Sequence, residues 1–322
     1  SGIGRTRIVM GAAITTMTVN VAMNYILIFG KMGFPALGIR GAAYGTVIGS
    51  VAGLLVLLGA YLRPANAKAY DVMRSFRFDW VLMKRLLKFG VPVGFDLVVT
   101  MLAFNTLIMT YHADGLVTAT AVTIMYNWDM VSFIPLIGVQ IGVMSLMGRY
   151  MGARRPDIAH RAVMSGLKMA WCYSGTILIL FVTLARPLAM VFRPFNVDEA
   201  VYEQALPTAI YMIRLAAIYV MTDSLMVVFA GALRGAGDTL WAMCISAGLH
   251  WMMPAVVFVT LHVLELSPET TWTIMVIAFA CMSTLFYLRY RTGKWRKIKV
   301  IHTPAAMIAM EHEHDLHGST EL

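Results

Sequence analysis

Long apolar stretches alternate with short polar stretches along the whole chain. Eight of the apolar stretches are long enough to cross a hydrocarbon core, which takes roughly 20 residues in a helix. They cover residues 8–30, 41–62, 86–111, 116–146, 162–184, 206–233, 239–262 and 270–289. The pattern therefore predicts an all-α polytopic membrane protein with about eight transmembrane helices.

The composition agrees with that prediction. Of the 322 residues, 59% are hydrophobic and only 13% are charged, which is more apolar surface than one soluble globule of this length can bury. Three cysteines, Cys172, Cys244 and Cys281, fall inside predicted helices and have no metal-site or disulfide spacing. We expect them to be small, buried apolar side chains.

The positive charges indicate an orientation. The net charge is +9, and Lys and Arg concentrate in alternate connections, for example within residues 149–161 and 289–299. By the positive-inside rule these connections face the cytoplasm, so both ends of the chain are expected there, in an inner membrane. The excess charge favours contact with membrane lipids and does not favour nucleic acid as a partner.

A weak internal repeat suggests how the chain is organised. Residues 2–6 read Gly-Ile-Gly-Arg-Thr and residues 235–239 read Gly-Ala-Gly-Asp-Thr, each directly before a predicted helix. Six predicted helices begin between the two motifs, which is typical of a parallel transporter repeat. Two unrelated glycine-rich turns are the alternative. A true repeat predicts that four helices of the first half are missing, and that the chain is a fragment.

The repeat predicts four regions. Residues 1–63 would form the last two helices of an N-terminal lobe, 64–88 a basic cytoplasmic linker, and 89–300 a six-helix C-terminal lobe. Residues 301–322 would form a flexible cytoplasmic tail. Its cluster of His, Glu and Asp side chains is compatible with a metal but is more typical of a solvated end.

Three carboxylates lie within predicted helices: Asp96, Asp129 and Asp223. A charged side chain there costs roughly 2.5 kcal/mol or more, so each is a candidate functional residue. Asp223 is eleven residues from Arg234 and Asp96 eleven from Arg85. At about 1.5 Å per residue both would lie near the midplane, where secondary transporters bind substrates and coupling ions.

Helical spacing indicates which side chains accompany the acids. Tyr219 precedes Asp223 by four residues and Tyr126 precedes Asp129 by three, so each pair shares a helix face. Asp129 either lines a cavity or forms hydrogen bonds between helices. Asp96 either lines the cavity or pairs with a positive neighbour.

Small and cyclic residues inside the helices point to close packing and bends. Gly138 and Gly142 form a small-xxx-small pair, which permits a close helix contact. Pro92, Pro135 and Pro254 each remove a backbone donor, which is typical of kinked membrane helices. These features serve either gating or packing.

Several of these motifs together resemble a known family. The segments GFPALGIRGAA at 33–43, FGVP at 89–92, MGRYMGA at 147–153 and above all AGALRGAGDT at 230–239 are similar to the multidrug and toxic compound extrusion (MATE) family. The resemblance implies twelve helices in two six-helix lobes, of which this chain resembles the fifth to twelfth. It also implies secondary active antiport, with organic and chiefly cationic compounds exported in exchange for Na⁺ or H⁺.

The resemblance also implies a cation site. One branch of the family uses an acid and a tyrosine on the tenth helix, which match Asp223 and Tyr219, and a glutamate on the seventh. Thr100 stands at the position of that glutamate, and Asp96, one turn earlier, would replace it. The expected site thus comprises Asp223, as a possible Na⁺ ligand, with Tyr219, Asp96, Thr100, Asp129 and Tyr126.

Carboxyl groups suit the exchange of a proton or Na⁺ for an organic cation. Burial disfavours a bare carboxylate, so such a group takes up a proton, and a bound cation competes with that proton. The expected partners are small organic substrates and the missing N-terminal helices, with no cofactor other than the coupling ion.

A lipid-linked saccharide flippase of the wider superfamily is an alternative function, but it needs a cationic cavity. An enzyme is disfavoured, because the helices show no nucleophile–base pair or metal-ligand cluster. An inactive truncated remnant is the remaining alternative.

Overall fold

The computed structural model describes residues 6–64, 66, 78–193 and 199–298. Within them the chain is helical and has no strand, and eight helices are long and apolar enough to cross a membrane. The helices are α1 (Thr6–Phe29), α2 (Ile39–Tyr61), α3 (Trp80–Ala113), α4 (Leu116–Gly152), α5 (Pro156–Thr183), the short α6 (Ala185–Met190), α7 (Glu199–Gly235), α8 (Thr239–Phe258) and α9 (Pro268–Arg291). A π-helical turn, Val259–Val263, extends α8, and a 3₁₀ turn, Lys294–Lys297, follows α9. The predicted all-α class and the eight spans are confirmed.

Several helices are longer than the apolar stretches that predicted them. α4 and α7 each have 37 residues, which at about 1.5 Å per residue is roughly 55 Å. A hydrocarbon core is only about 30 Å thick. Hydropathy detects the part of a helix that lies in hydrocarbon, so the polar end turns of these helices were not predicted.

The chain divides into two compact units, Ser1–Arg85 and Leu86–Leu322. Residues 2–5 of the first glycine motif, residues 65 and 67–77 of the predicted linker and the tail at 301–322 lie outside the described residues, so the predictions made for them stay predictions. Residues 80–88, assigned to the linker by the sequence, form the first turns of α3.

In the first unit, a row of glycines brings α2 close to α1. Gly41, Gly45, Gly49 and Gly53 are all buried and spaced by four residues, so they share one face of α2. A Cβ atom built on Gly49 would lie 2.9 Å from the carbonyl oxygen of Thr16. The two helices approach each other at a distance that only glycine allows.

In the second unit, α7 is the central helix, and it packs against α4, α5 and α9. In its most apolar stretch 67% of the residues are buried, whereas no other described span exceeds 39%. α7 therefore presents its side chains to the protein interior on most sides.

Glycines on α7 provide the close contact with α4. A Cβ atom on Gly231 would lie 2.8 Å from the carbonyl oxygen of Gln140, and one on Gly235 would lie 2.5 Å from that of Met144. Within the described residues, Gly138 and Gly142 do not make the close contact that they permit, because a Cβ atom on either would meet none of these residues within 4 Å. Each of these glycines is two residues from Gln140, so both lie on a different face of α4. The backbone of α4 at Gln140 and Met144 therefore contacts the glycines of α7.

The prediction of buried cysteines is wrong. Cys172, Cys244 and Cys281 are all exposed and free of disulfides. They lie on outward faces of α5, α8 and α9, where apolar side chains are stable in lipid without being buried in protein. Pro92, Pro135 and Pro254 lie inside helices, and their proposed part in gating stays a prediction.

Candidate cation site

Asp223 lies on α7 with only 2% of its surface exposed. Its Oδ1 atom is buried without a hydrogen-bond partner, and no described residue forms an ion pair with its carboxylate. Buried polar groups are nearly always hydrogen-bonded, and a buried charge without a partner is costly. Asp223 is therefore positioned to take up a proton, a cation or water.

Asp129, on the adjoining helix α4, is the acid that interacts electrostatically with Asp223. It is buried, with 9% of its surface exposed. A structural acid between helices would accept a hydrogen bond from a neighbouring helix. Among the described residues, none donates a hydrogen bond to the Asp129 side chain. The packing of α4 on α7 thus brings two unpaired carboxyl groups into one buried region.

Tyr219 and Tyr126 belong to the same region. Tyr219, one turn before Asp223 on α7, interacts electrostatically with Asp129, Asp223 and Tyr126. The Tyr126 hydroxyl is buried and has no hydrogen-bond partner among the described residues. The structure therefore brings together four of the residues that the sequence singled out.

An aromatic wall packs around Tyr126 and Tyr219. The Trp272 ring centroid lies 6.1 Å from that of Tyr126 and 6.3 Å from that of Tyr219. Phe279 lies 4.5 Å from Tyr219, and Phe104 lies 5.3 Å from Tyr126. Carboxylates beside aromatic faces suit an organic cation, which is attracted to both.

Sequence reasoning missed part of this wall. Trp272 and Phe279 are seven residues apart on α9, and Phe104 and Tyr111 are seven apart on α3, so each pair lies on one helix face. The Tyr111 hydroxyl and Trp272 Nε1 are buried without hydrogen-bond partners. Tyr111 interacts electrostatically with Tyr126. Repeated aromatic spacing of seven was the available signal.

Asp96 does not face Asp223, contrary to the expectation. It is 3% exposed and forms an ion pair with Arg234, in the last turn of α7. Arg234 is eleven residues beyond Asp223, about 16 Å along the helix. Arg85 does not mark the start of the membrane span, because α3 already begins at Trp80, and Asp96 lies level with Arg234 at the end of α7. The other option, pairing with a positive neighbour, describes Asp96 in this structure.

Thr100 lies one turn beyond Asp96 on α3 and is half-buried. Within the described part of the chain, no hydrogen bond joins its hydroxyl to Asp129 or Asp223. The cation-binding role suggested by its position in the family motif stays a prediction.

A second buried ion pair was not anticipated. Asp238, in the turn before α8, accepts hydrogen bonds from Arg289 Nε at 2.8 Å and Nη2 at 3.2 Å. The Arg289 guanidinium also lies 4.7 Å from the Trp241 ring centroid. The aspartate of the 235–239 motif therefore joins the α7–α8 turn to the end of α9.

Comparison with known proteins places this arrangement in a family. The model of the MatE family matches residues 92–255, about half of the chain and a range that contains Asp129 and Asp223. The probable multidrug resistance protein NorM of Thermotoga maritima is 29% identical over 308 residues, 93% of this chain and 63% of that protein. The multidrug resistance protein MdtK of Edwardsiella ictaluri is 27% identical over 259 residues, 78% of this chain and 54% of its own length. The chain thus spans roughly three fifths of the length of these relatives.

Solved structures show the same fold. A MOP superfamily transporter from Pyrococcus furiosus superposes with a TM-score of 0.78 at 18% identity, over 90% of this chain and 63% of its own. A MATE protein crystallised in the bent conformation gives a TM-score of 0.75 at 17% identity, over 91% of this chain and 63% of its own. The relatives of this chain are named as multidrug resistance proteins, and its Pyrococcus furiosus neighbour is named as a transporter, in agreement with the sequence. This multi-pass membrane chain belongs to the MatE family, as its motifs predicted.

Proposed function

We propose that the chain works within a secondary antiporter that exports organic, cationic compounds by alternating access, in exchange for Na⁺ or H⁺. The observation that carries the proposal is the pair of buried, unpaired acids, Asp129 and Asp223, whose neighbours Tyr126 and Tyr219 pack against an aromatic wall. Relatives at 29% and 27% identity bear the names of multidrug resistance proteins, which supports export as the direction of transport.

The geometry suggests how exchange works. Two carboxylates in one buried region repel each other, and a proton or a cation relieves that repulsion. A coupling ion and an organic cation therefore compete for Asp129 and Asp223. Tyr219 and Tyr126 supply hydroxyl oxygens beside the acids, and Trp272 supplies a flat apolar face. Binding of one cation favours release of the other, which is the requirement for antiport.

The sign of the charge separates this proposal from a saccharide flippase. The Pyrococcus furiosus transporter of the same fold is described as having a binding pocket of reverse polarity that suggests a different function. A shared fold therefore does not determine which substrate charge is accepted. Here the ionisable groups of the candidate site are acids and tyrosines, which favours cations over a pyrophosphate-linked lipid.

Efflux of a fluorescent organic cation from cells that carry the full-length protein tests the proposal. Asp223→Asn and Asp129→Asn each keep the side-chain shape but remove the negative charge. We expect each to lower the initial export rate at least about tenfold, equivalent to roughly 1.4 kcal/mol. Na⁺ and pH gradients imposed in turn identify the coupling ion.

Asp157→Asn is the matched control, because Asp157 is an exposed acid in the first turn of α5. It is expected to export at the wild-type rate when the amount of protein in the membrane is equal. Wild-type export by Asp223→Asn contradicts the proposed role of this acid. Export of an anionic lipid carrier in place of the dye contradicts the proposed substrate class.

A further inference from the structure

A cavity lies away from the acids, at the end of α9 that leads into the 3₁₀ turn Lys294–Lys297. Its volume is about 470 Å³, within the range of about 300–1,000 Å³ that is usual for small-molecule sites. Residues of α5, α7 and α9 and of the 3₁₀ turn line it, and neither acids nor residues of the cation site are among them. Its charge is therefore opposite in sign to that of the cation site.

Stacked rings form one wall of this cavity. The Tyr290 ring lies between His160, at 5.9 Å and 17° between ring planes, and Trp295, at 5.1 Å and 11°. His160 Nδ1 is 2.8 Å from the Tyr290 hydroxyl, and Trp295 Nε1 donates a hydrogen bond to the Tyr290 carbonyl at 3.0 Å. Trp295 is only 1% exposed. The wall is thus held in place by hydrogen bonds and by stacking.

Two arginines line the same cavity. Arg291 and Arg296 are exposed, and neither forms an ion pair with a described residue. The Arg296 guanidinium stacks on Trp295, 5.2 Å from the ring centroid. In contrast, Arg234 and Arg289 nearby are each paired with an aspartate. Arg291 and Arg296 therefore have donors available for an anion, and guanidinium groups match the geometry of a phosphate.

The rest of the lining is apolar and continues onto the outer surface. Met164, Phe229 and Tyr287 contribute to the cavity, and Tyr287 is 38% exposed. The next residue on α9, Leu288, is 48% exposed. A free phosphate would contact only the arginines, whereas a phospholipid would place its phosphate on them and its glycerol and acyl chains along the apolar surface.

We propose that this cavity binds the phosphate head group of an anionic phospholipid. The cavity lies at the end of the helices that carries Arg234, Arg289 and the positive 3₁₀ turn. The positive-inside rule assigns that end to the cytoplasmic leaflet, where anionic lipids attract basic residues. This lipid site shares no residue with the cation site. A negative result for lipid binding therefore leaves the proposed antiport unaffected, and the reverse also holds.

Native mass spectrometry of the purified full-length protein, titrated with phosphatidylglycerol and with phosphatidylcholine, tests this inference. Wild-type protein is expected to retain one phosphatidylglycerol molecule more tightly than any phosphatidylcholine. The double variant Arg291→Gln/Arg296→Gln is expected to lose at least about tenfold in affinity for phosphatidylglycerol, or roughly 1.4 kcal/mol.

The matched control is Lys294→Gln/Lys297→Gln, which removes the same charge from exposed side chains of the same turn that do not line the cavity. It is expected to bind phosphatidylglycerol as the wild type does. Equal loss in both double variants indicates diffuse attraction and overturns the proposal, as does loss in neither. Displacement of the lipid by inorganic phosphate at an equal concentration also overturns it, because the occupant would then be a soluble anion.

A second variant tests the site without removing charge. Met164 is half-buried in the cavity wall, so Met164→Trp fills space that the lipid would occupy while Arg291 and Arg296 remain. We expect it to weaken phosphatidylglycerol binding as strongly as the arginine variant does. Wild-type affinity in a correctly folded Met164→Trp protein contradicts a lipid in this cavity.

Discussion

At the scale of single residues, the partner of each buried acid distinguishes its role. Asp96 and Asp238 have arginine partners, which offset the cost of burying a charge and hold helices together. Asp129 and Asp223 have no such partner among the described residues, so nothing in that part of the chain neutralises them. An acid that an arginine neutralises has a structural role, whereas an acid without a counter-charge has the property that the proposed cation site requires.

The Asp96–Arg234 pair leads to a prediction about stability. Asp96→Ala leaves the Arg234 side chain, only 19% exposed, without its counter-charge. Breaking a buried pair in this way costs about 3–5 kcal/mol, so the midpoint of thermal unfolding in detergent should fall clearly. Asp96→Ala/Arg234→Leu removes both charges and should recover most of the loss.

The same experiment separates a structural Asp96 from a cation-binding one. If Asp96 served in the cation site, the single variant would unfold at the wild-type temperature and lose export. The double variant Asp96→Ala/Arg234→Leu would not restore export. Measuring unfolding and dye efflux on the same preparations therefore decides between the two roles.

Spacing along one helix was enough to select Tyr219 with Asp223 and Tyr126 with Asp129. It was not enough to decide which acid faces Asp223. Asp96 and Asp129 are equally plausible as mid-helix acids, and the choice depends on how α3 and α4 pack against α7. That packing is a tertiary property, which the period of 3.6 residues does not contain.

At the scale of helices, close approach is achieved by glycines on α2 and α7. Membrane helices have no hydrophobic drive to associate within lipid, so small residues that allow extensive contact stabilise the pairs. The sequence indicated that Gly138 and Gly142 on α4 permit such a contact, but the described residues make none there. A glycine pair identifies a possible contact, whereas the face that a neighbouring helix occupies decides whether it is used.

Gly231→Ala is predicted to destabilise the second unit. The added methyl group would lie 2.8 Å from the Gln140 carbonyl oxygen, which is backbone and cannot rotate away. Overpacking of this kind costs typically about 1–3 kcal/mol. The measurement is the midpoint of thermal unfolding, followed by size-exclusion chromatography of heated samples.

Gly138→Ala is the control for that change, because it adds the same methyl group where nothing lies within 4 Å. Its midpoint should equal or slightly exceed that of the wild type, since alanine favours helix by up to about 1 kcal/mol. Equal losses in the two variants would mean that a general effect of alanine, not the contact with α4, is responsible.

At the scale of the whole molecule, the eight spans and the fold were predictable because hydropathy and length alone constrain them. Orientation rests on the distribution of charge. The described connection at 153–155 and the segment 292–298 lie at the same end of alternating helices, and their charged residues are all positive. The connection at 236–238 lies at that end too, and its one charged residue, Asp238, is paired with Arg289. The connection at 264–267 lies at the opposite end and has Glu265 as its charged residue.

Cysteine labelling tests the orientation that this distribution predicts. Cys172, Cys244 and Cys281 are exposed, so all three are first changed to alanine. Single cysteines are then introduced as Ala153→Cys, between α4 and α5, or Glu265→Cys, between α8 and α9, both at exposed positions. A membrane-impermeant maleimide should label the second in intact cells and the first only after permeabilisation, because positive connections stay in the cytoplasm.

The reverse labelling pattern would place the arginine-lined cavity on the outer side and remove the reason to expect anionic lipids of the cytoplasmic leaflet there. The cation site would be less affected, since Asp129 and Asp223 lie inside their helices, away from both ends. The proposed alternating access opens such a site to each side in turn, and the ion gradient sets the direction of exchange, so reversal would change neither the direction of export nor the residues proposed to bind the cation. Labelling and dye efflux measured on one cysteine-free parent therefore test orientation and binding separately.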